Sequence, residues 1–120
     1  MRGVLLAGAL AGVCLTAAGH AKAAGFDGAW SVLVVTDKGD CDRGYRYAVS
    51  VAEGHVSYAD APGINLAGTV SSEGHVRVTI SKGSQRAVGT GKLSAHAGAG
   101  SWSGQGASGT CSGHWEAERR

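Results

Sequence analysis

Proline is nearly missing from this chain: Pro62 is the only one among 120 residues. Helical periodicity is missing too. After residue 23 no stretch repeats its apolar residues at a 3.6 spacing, so amphipathic helices are excluded as the framework. The longest small-and-apolar run covers residues 4–18 and is too short to span a bilayer comfortably. No CxxC pair occurs, which leaves the usual thiolate metal sites without support. GxSxG, P-loop and HExxH motifs are all lacking, and no Ser–His–Asp set is suggested by spacing. What remains is an expectation of a non-enzymatic protein with no catalytic residues, no metal ligands and no cofactor.

The first 23 residues read as an address. Arg2 gives a positive start, the apolar run follows, and Ala21-Lys22-Ala23 fits the small-x-small rule. Cleavage after Ala23 leaves one domain over residues 24–120, delivered to the periplasm or beyond the cell. Cys14 lies within the apolar run, and Val13 before it is too large for a good lipoprotein processing site. Losing Arg2 and Lys22 turns the formal charge of +2 into a balance of nine cations and nine anions. The mature chain therefore has no charge excess to draw it to nucleic acid or an acidic membrane. Cys41 and Cys111 remain in an oxidising compartment, and the simplest reading is one disulfide.

Glycine dominates instead, 21 of 120 residues. Some glycines mark turns, at Lys38-Gly39, Glu53-Gly54, Pro62-Gly63, Glu73-Gly74 and Lys82-Gly83. These signals recur every eight to twelve residues, the spacing of an all-β barrel or sandwich. Eight strands follow in order. Residues 29–36 form the first and residues 45–52 the second. A short third strand carries Val56 and Tyr58, the fourth Ile64 to Val70, and the fifth Val76, Val78 and Ile80. The sixth has Ala87, Gly89, Gly91 and Leu93 on one face. The seventh has Gly98, Gly100, Trp102 and Gly104, and the eighth Cys111, Gly113, Trp115 and Ala117.

Period-two parity sends all three tryptophans (Trp30, Trp102, Trp115) and all three tyrosines (Tyr45, Tyr47, Tyr58) inward, with about six glycines. Rings from one wall lying on bare glycine backbone of the other would fill a narrow interior. An aromatic-lined pocket for a flat or apolar ligand is the functional version of the same pattern. In a closed meander the first and eighth strands meet. Cys41 and Cys111 then fall at one end of the seam. Trp30 meets Arg119 or Arg120 at the other, where a guanidinium can lie over an indole. Leu33 and Val35 fall on the outer side of the first strand, where they would favour a partner or a dimer.

Gly28-Ala29-Trp30 resembles the GxW start of the calycin barrels: lipocalins, avidins and bacterial metalloprotease inhibitors. In those families a basic residue after the last strand packs on the tryptophan, and Arg119 stands in that place. The resemblance implies an antiparallel, up-and-down, eight-stranded calycin-like barrel with Gly28, Trp30 and Arg119 as its structural signature. The chain is also similar to small secreted proteins of alphaproteobacteria. They share FDGxWSVxVxT (here residues 26–36), GxCDRxYRYxV (residues 39–49) and CSGxWxAxR (residues 111–119). Some relatives carry a label connecting them to haem utilisation or adhesion, and no site residues follow from it.

Three functional expectations result. The first is a binding module holding a small apolar or aromatic ligand against Trp102, Trp115, Tyr45, Tyr47 and Tyr58. The second is an interaction protein with a protein partner, such as a calycin-type protease inhibitor acting through residues 24–27 around an exposed Phe26. The third is a haem- or metal-associated protein using His55 and His75, which open equivalent strands. Asp37, Asp40 and Asp42 cluster in the first long loop, read as solvated and of mixed charge, with Arg43 able to pair with Asp40 or Asp42. Residues 104–109 match GxGxxG letter for letter but lead into a strand rather than a helix, so nucleotide binding is not expected. A hollow barrel would favour the first expectation. A filled one with a free apolar N-terminus would favour the second.

Overall fold

The computed structural model describes residues 25–58 and 62–120. The expected signal peptide lies outside the described residues. Eight strands follow one another: β1 (Gly28–Lys38), β2 (Gly44–Ala52), β3 (His55–Ser57), β4 (Ile64–Val70), β5 (His75–Lys82), β6 (Gln85–Leu93), β7 (Ala97–Gly106) and β8 (Gly109–Arg119). Each pairs antiparallel with the next, and β8 returns to β1. The result is a closed up-and-down barrel of the calycin-like kind, in the strand order that the turn spacing implies. Closure leaves no free sheet edge among these strands.

Alternation sorts the side chains. Inward positions carry valine, leucine, isoleucine, aromatic rings and glycine. Outward positions carry Arg46, Arg77, Arg86, Lys92, Glu116 and Glu118, all at the surface. Leu33 and Val35 are outward as expected, opposite Arg46 and Glu116 in one row and Gly44 and His114 in the next, and each is half-buried.

The two ends of the barrel differ. At one end Trp30, Val49, Val51, Val56, Val70, Leu93, Trp115 and Ala117 pack into a buried cluster, with Phe26 against it. Trp30 is 1% exposed and donates its indole N–H to the Phe26 carbonyl at 2.9 Å. Arg119 pairs with Trp30 in the ladder, and its guanidinium lies 4.7 Å from the ring centroid. It donates to the carbonyls of Ala95 (2.8 Å), Asp27 (2.8 Å) and Gly25 (2.7 Å). Of the two arginines that could have met Trp30, Arg119 does so.

The same N-terminal segment is tied to the β2–β3 turn. Glu53 and Gly54 both have positive φ (52° and 80°), the geometry a two-residue hairpin of this twist requires. Glycine adopts that backbone freely. Glutamate does so at a cost, and here the Asp27 carboxylate accepts its N–H at 3.0 Å.

The opposite end holds the disulfide. Cys41 and Cys111 are bonded with their Cα atoms 6.1 Å apart and 70 residues apart in sequence. The ladder between β1 and β8 shifts register between Thr36 and Lys38, a bulge that releases the chain into the loop carrying Cys41. Gly39 is obligatory there: its φ is +98°, and a Cβ would stand 2.8 Å from Cys111 Sγ and overlap Thr110 O. Buried Thr36 anchors the same loop, its hydroxyl donating to Asp42 O at 2.6 Å and its N–H to Arg43 O at 3.0 Å.

Candidate functional site: the barrel lumen

The interior is not filled. A cavity of about 670 Å³ runs from Trp30 to Asp40, Asp42, Lys82 and Gln85 at the disulfide end. Its walls are the inward side chains Val32, Val34, Tyr47, Leu66, Val78 and Trp102 among others. These residues are only half-buried although they point to the barrel axis. A packed barrel would bury them, as it buries Val49, Val51 and Leu93 at the closed end.

The reason lies in how the indoles are stored. The expectation that rings cross the interior to the far wall is not met. Trp115 stands in one register row with Gly100 and Gly91 of the next two strands. Its indole lies along that wall and donates to Thr90 O at 3.1 Å. A Cβ at Gly100 would come 2.6 Å from Trp115 Cε2, and one at Gly91 would overlap its Cζ2.

Trp102 stands in a row with Gly89 on one side and Gly113 on the other. It leans over Gly113 and donates to Val35 O at 2.9 Å, and a Cβ at Gly113 would stand 2.9 Å from its Nε1. Each indole thus lies against glycine backbone of its own wall. The polar N–H groups are satisfied by main-chain carbonyls, and the apolar ring faces the lumen. Glycines that seemed to admit rings from across the barrel instead keep the barrel open.

The tyrosines line the opposite side, toward the disulfide end. Tyr47 and Tyr58 meet edge to face, with centroids 5.3 Å apart and planes at 87°. Tyr45 and Tyr47 are tilted at 43° with centroids 5.8 Å apart. Tyr45 is 48% exposed and forms the rim. Its hydroxyl donates to the Asp42 carboxylate, and that bond raises its pKa, with burial and the Asp42 charge adding to the effect. Burial raises the Tyr47 pKa, with the neighbouring Tyr58 and Asp42 adding to it. The five proposed ligand-binding aromatics therefore all border one cavity.

The loop carboxylates do not converge. Asp37 turns outward and meets His114 Nδ1 at 2.8 Å, whereas Asp42 turns to Tyr45. Arg43 makes no ion pair with Asp40 or Asp42 among the described residues. His55 and His75 open β3 and β5 but are not neighbours in the ladder, because β4 runs between those strands. Among the described residues no three His, Cys, Asp or Glu side chains gather as a metal site would need. The GxGxxG match falls on the β7–β8 hairpin, with Gly106 opposite Gly109.

Sequence reasoning missed the Asp27–Glu53 tie and the anchoring of Asp42 by Thr36. Both are contacts of main-chain groups, which residue type does not announce. Comparison with protein-family models, curated proteins and solved structures finds no match to this chain.

Proposed function

We propose that the protein is an exported, non-enzymatic binding module whose barrel lumen takes a small apolar or aromatic ligand. One observation carries this reading: inward-facing valines, Leu66 and aromatic rings are left half-exposed around a cavity of about 670 Å³. Cavities of that order suit one small molecule, and eight-stranded barrels are the size class that encloses one. Leaving apolar lining in contact with water forgoes about 25 cal/mol for each Å², and a ligand recovers it.

The N-terminal segment supports the same reading over an inhibitor. Phe26 packs against the core, and the carbonyls of Gly25, Phe26 and Asp27 are engaged by Trp30 and Arg119. A segment held this way is not offered to a partner's cleft. The polar outer face is the reverse of a bilayer-crossing barrel, which is apolar outside. The disulfide suits an oxidising compartment, periplasmic or extracellular.

A neutral naphthylamine dye tests the proposal, read by its own fluorescence and by that of Trp102 and Trp115. Saturable one-to-one binding is expected, and it should be lost in Val78→Trp, whose new ring occupies the lumen, while the far-ultraviolet dichroism is kept. Absence of dye binding, or equal binding by Val78→Trp, would overturn it.

A further inference from the structure

The rim of the cavity is electrically divided. Asp40 and Asp42 stand on the β1–β2 side with Arg46 and the three tyrosines, and Lys82 and Arg86, the latter from an outward strand position, border the β5–β6 hairpin. In a closed order of eight strands those two places are opposite one another. We infer that the ligand is an amphiphile with a cationic ammonium head, its apolar body in the lumen and its head against Tyr45, Tyr47, Tyr58 and Asp42. This inference rests on the lumen reading above.

Four observations point to a cation rather than an anion. First, Tyr47 and Tyr58 are nearly perpendicular, so they offer a face and an edge around one corner, half of an aromatic cage. Ring faces attract ammonium groups, most strongly where water is excluded. Second, Asp42 is held in place at three points. Thr36 Oγ1 donates to its carbonyl, Cys41 beside it is fixed by the disulfide, and Tyr45 donates to its carboxylate. A preset carboxylate spares a cation the cost of ordering it.

Third, the negative field of Asp42 reaches into the wall, since it contributes to the raised pKa of both Tyr45 and Tyr47. Fourth, Arg46 borders the cavity on that side, but its guanidinium is engaged, donating to Ser31 Oγ at 3.3 Å. Lys82 and Arg86 are exposed, as Asp42 is, and among the described residues neither lies over an aromatic ring. An anion there would meet solvent-screened charge alone, whereas a cation beside Asp42 would also meet the tyrosine rings.

Calorimetric titration with three decyl compounds below their micelle concentrations tests the inference. Decyltrimethylammonium, decanol and decyl sulfate share one apolar body and differ in the head. The cation should bind about tenfold or more tighter than the alcohol, and the sulfate weaker than either. Asp42→Asn and Tyr47→Leu should each draw the ratio of cation to alcohol affinity toward unity. Sulfate binding as tight as the cation, or a ratio untouched by both variants, would overturn the cationic head and leave the lumen reading intact. Binding by none of the three would overturn both.

Discussion

Removing the Arg119 guanidinium should open the closed end of the barrel. Arg119→Ala loses a cation–π contact with Trp30, worth about 0.5–2 kcal/mol. It also loses three donors to the carbonyls of Ala95, Asp27 and Gly25. Hydrogen bonds from charged donors contribute more than neutral ones when buried, but two of these three lie at the surface, so about 0.5–1 kcal/mol each is the appropriate scale. The sum is about 2–5 kcal/mol. For a domain near 100 residues that lowers Tm by roughly 10–30 °C, read by thermal dichroism.

Two companions sharpen the test. Arg119→Lys keeps the charge but cannot span three carbonyls with a planar fork, so it should recover less than half of the loss. Arg120→Ala should change little, because Arg120 contributes a main-chain N–H to Ala29 O. A Tm for Arg119→Ala within about 3 °C of the parent would refute the reasoning. The same would follow if Arg120→Ala were the more damaging of the pair.

Other consequences can be measured together. Reducing the disulfide, which closes a separation of 70 residues, should remove on the order of 4 kcal/mol and lower Tm in dithiothreitol; an unchanged melting curve would contradict it. Gly100→Ala should cost about 3 kcal/mol or more in denaturant unfolding, because the new Cβ overlaps Thr90 O of the neighbouring strand as well as crowding the Trp115 ring; unchanged stability would contradict that register. Glu53→Asn relieves a positive-φ glutamate in a turn that favours asparagine before glycine, and should stabilise by up to about 1 kcal/mol in denaturant unfolding.

The pKa of His114 is raised, chiefly by its hydrogen bond to Asp37. The folded state therefore holds that proton more tightly than the unfolded chain. The stabilisation is complete below the unfolded histidine value and is lost as pH rises through the folded one. An NMR titration should show His114 above its unfolded value in the parent and lowered by Asp37→Asn. An unmoved titration midpoint in that variant would contradict the pairing.

Much of the fold was legible because its signals are local. Turn glycines every eight to twelve residues fix the strand count, and parity within each strand fixes which side chains face inward. The two seam features follow from closure alone: Cys41 and Cys111 at one end, Trp30 and Arg119 at the other. The state of the lumen was not legible. Whether Trp115 crosses the barrel or lies on its own wall depends on the row it shares with Gly100 and Gly91, and that row is set by register between three strands. Inward glycines opposite a tryptophan fit both arrangements. The rim was hidden for a related reason. Asp37 and Asp42 are five residues apart and look equivalent, yet the bulge after Thr36 turns one outward to His114 and the anchored loop turns the other to Tyr45.

The central claim is that the lumen is a binding site, and native mass spectrometry addresses it most directly. Protein expressed from the full chain would be recovered from a periplasm without denaturation and sprayed before and after incubation with decyltrimethylammonium. The account predicts a single non-covalent adduct that gentle activation releases, and loss of that adduct in Val78→Trp. A folded parent that stays free of any adduct with this compound and with decanol alike would contradict it.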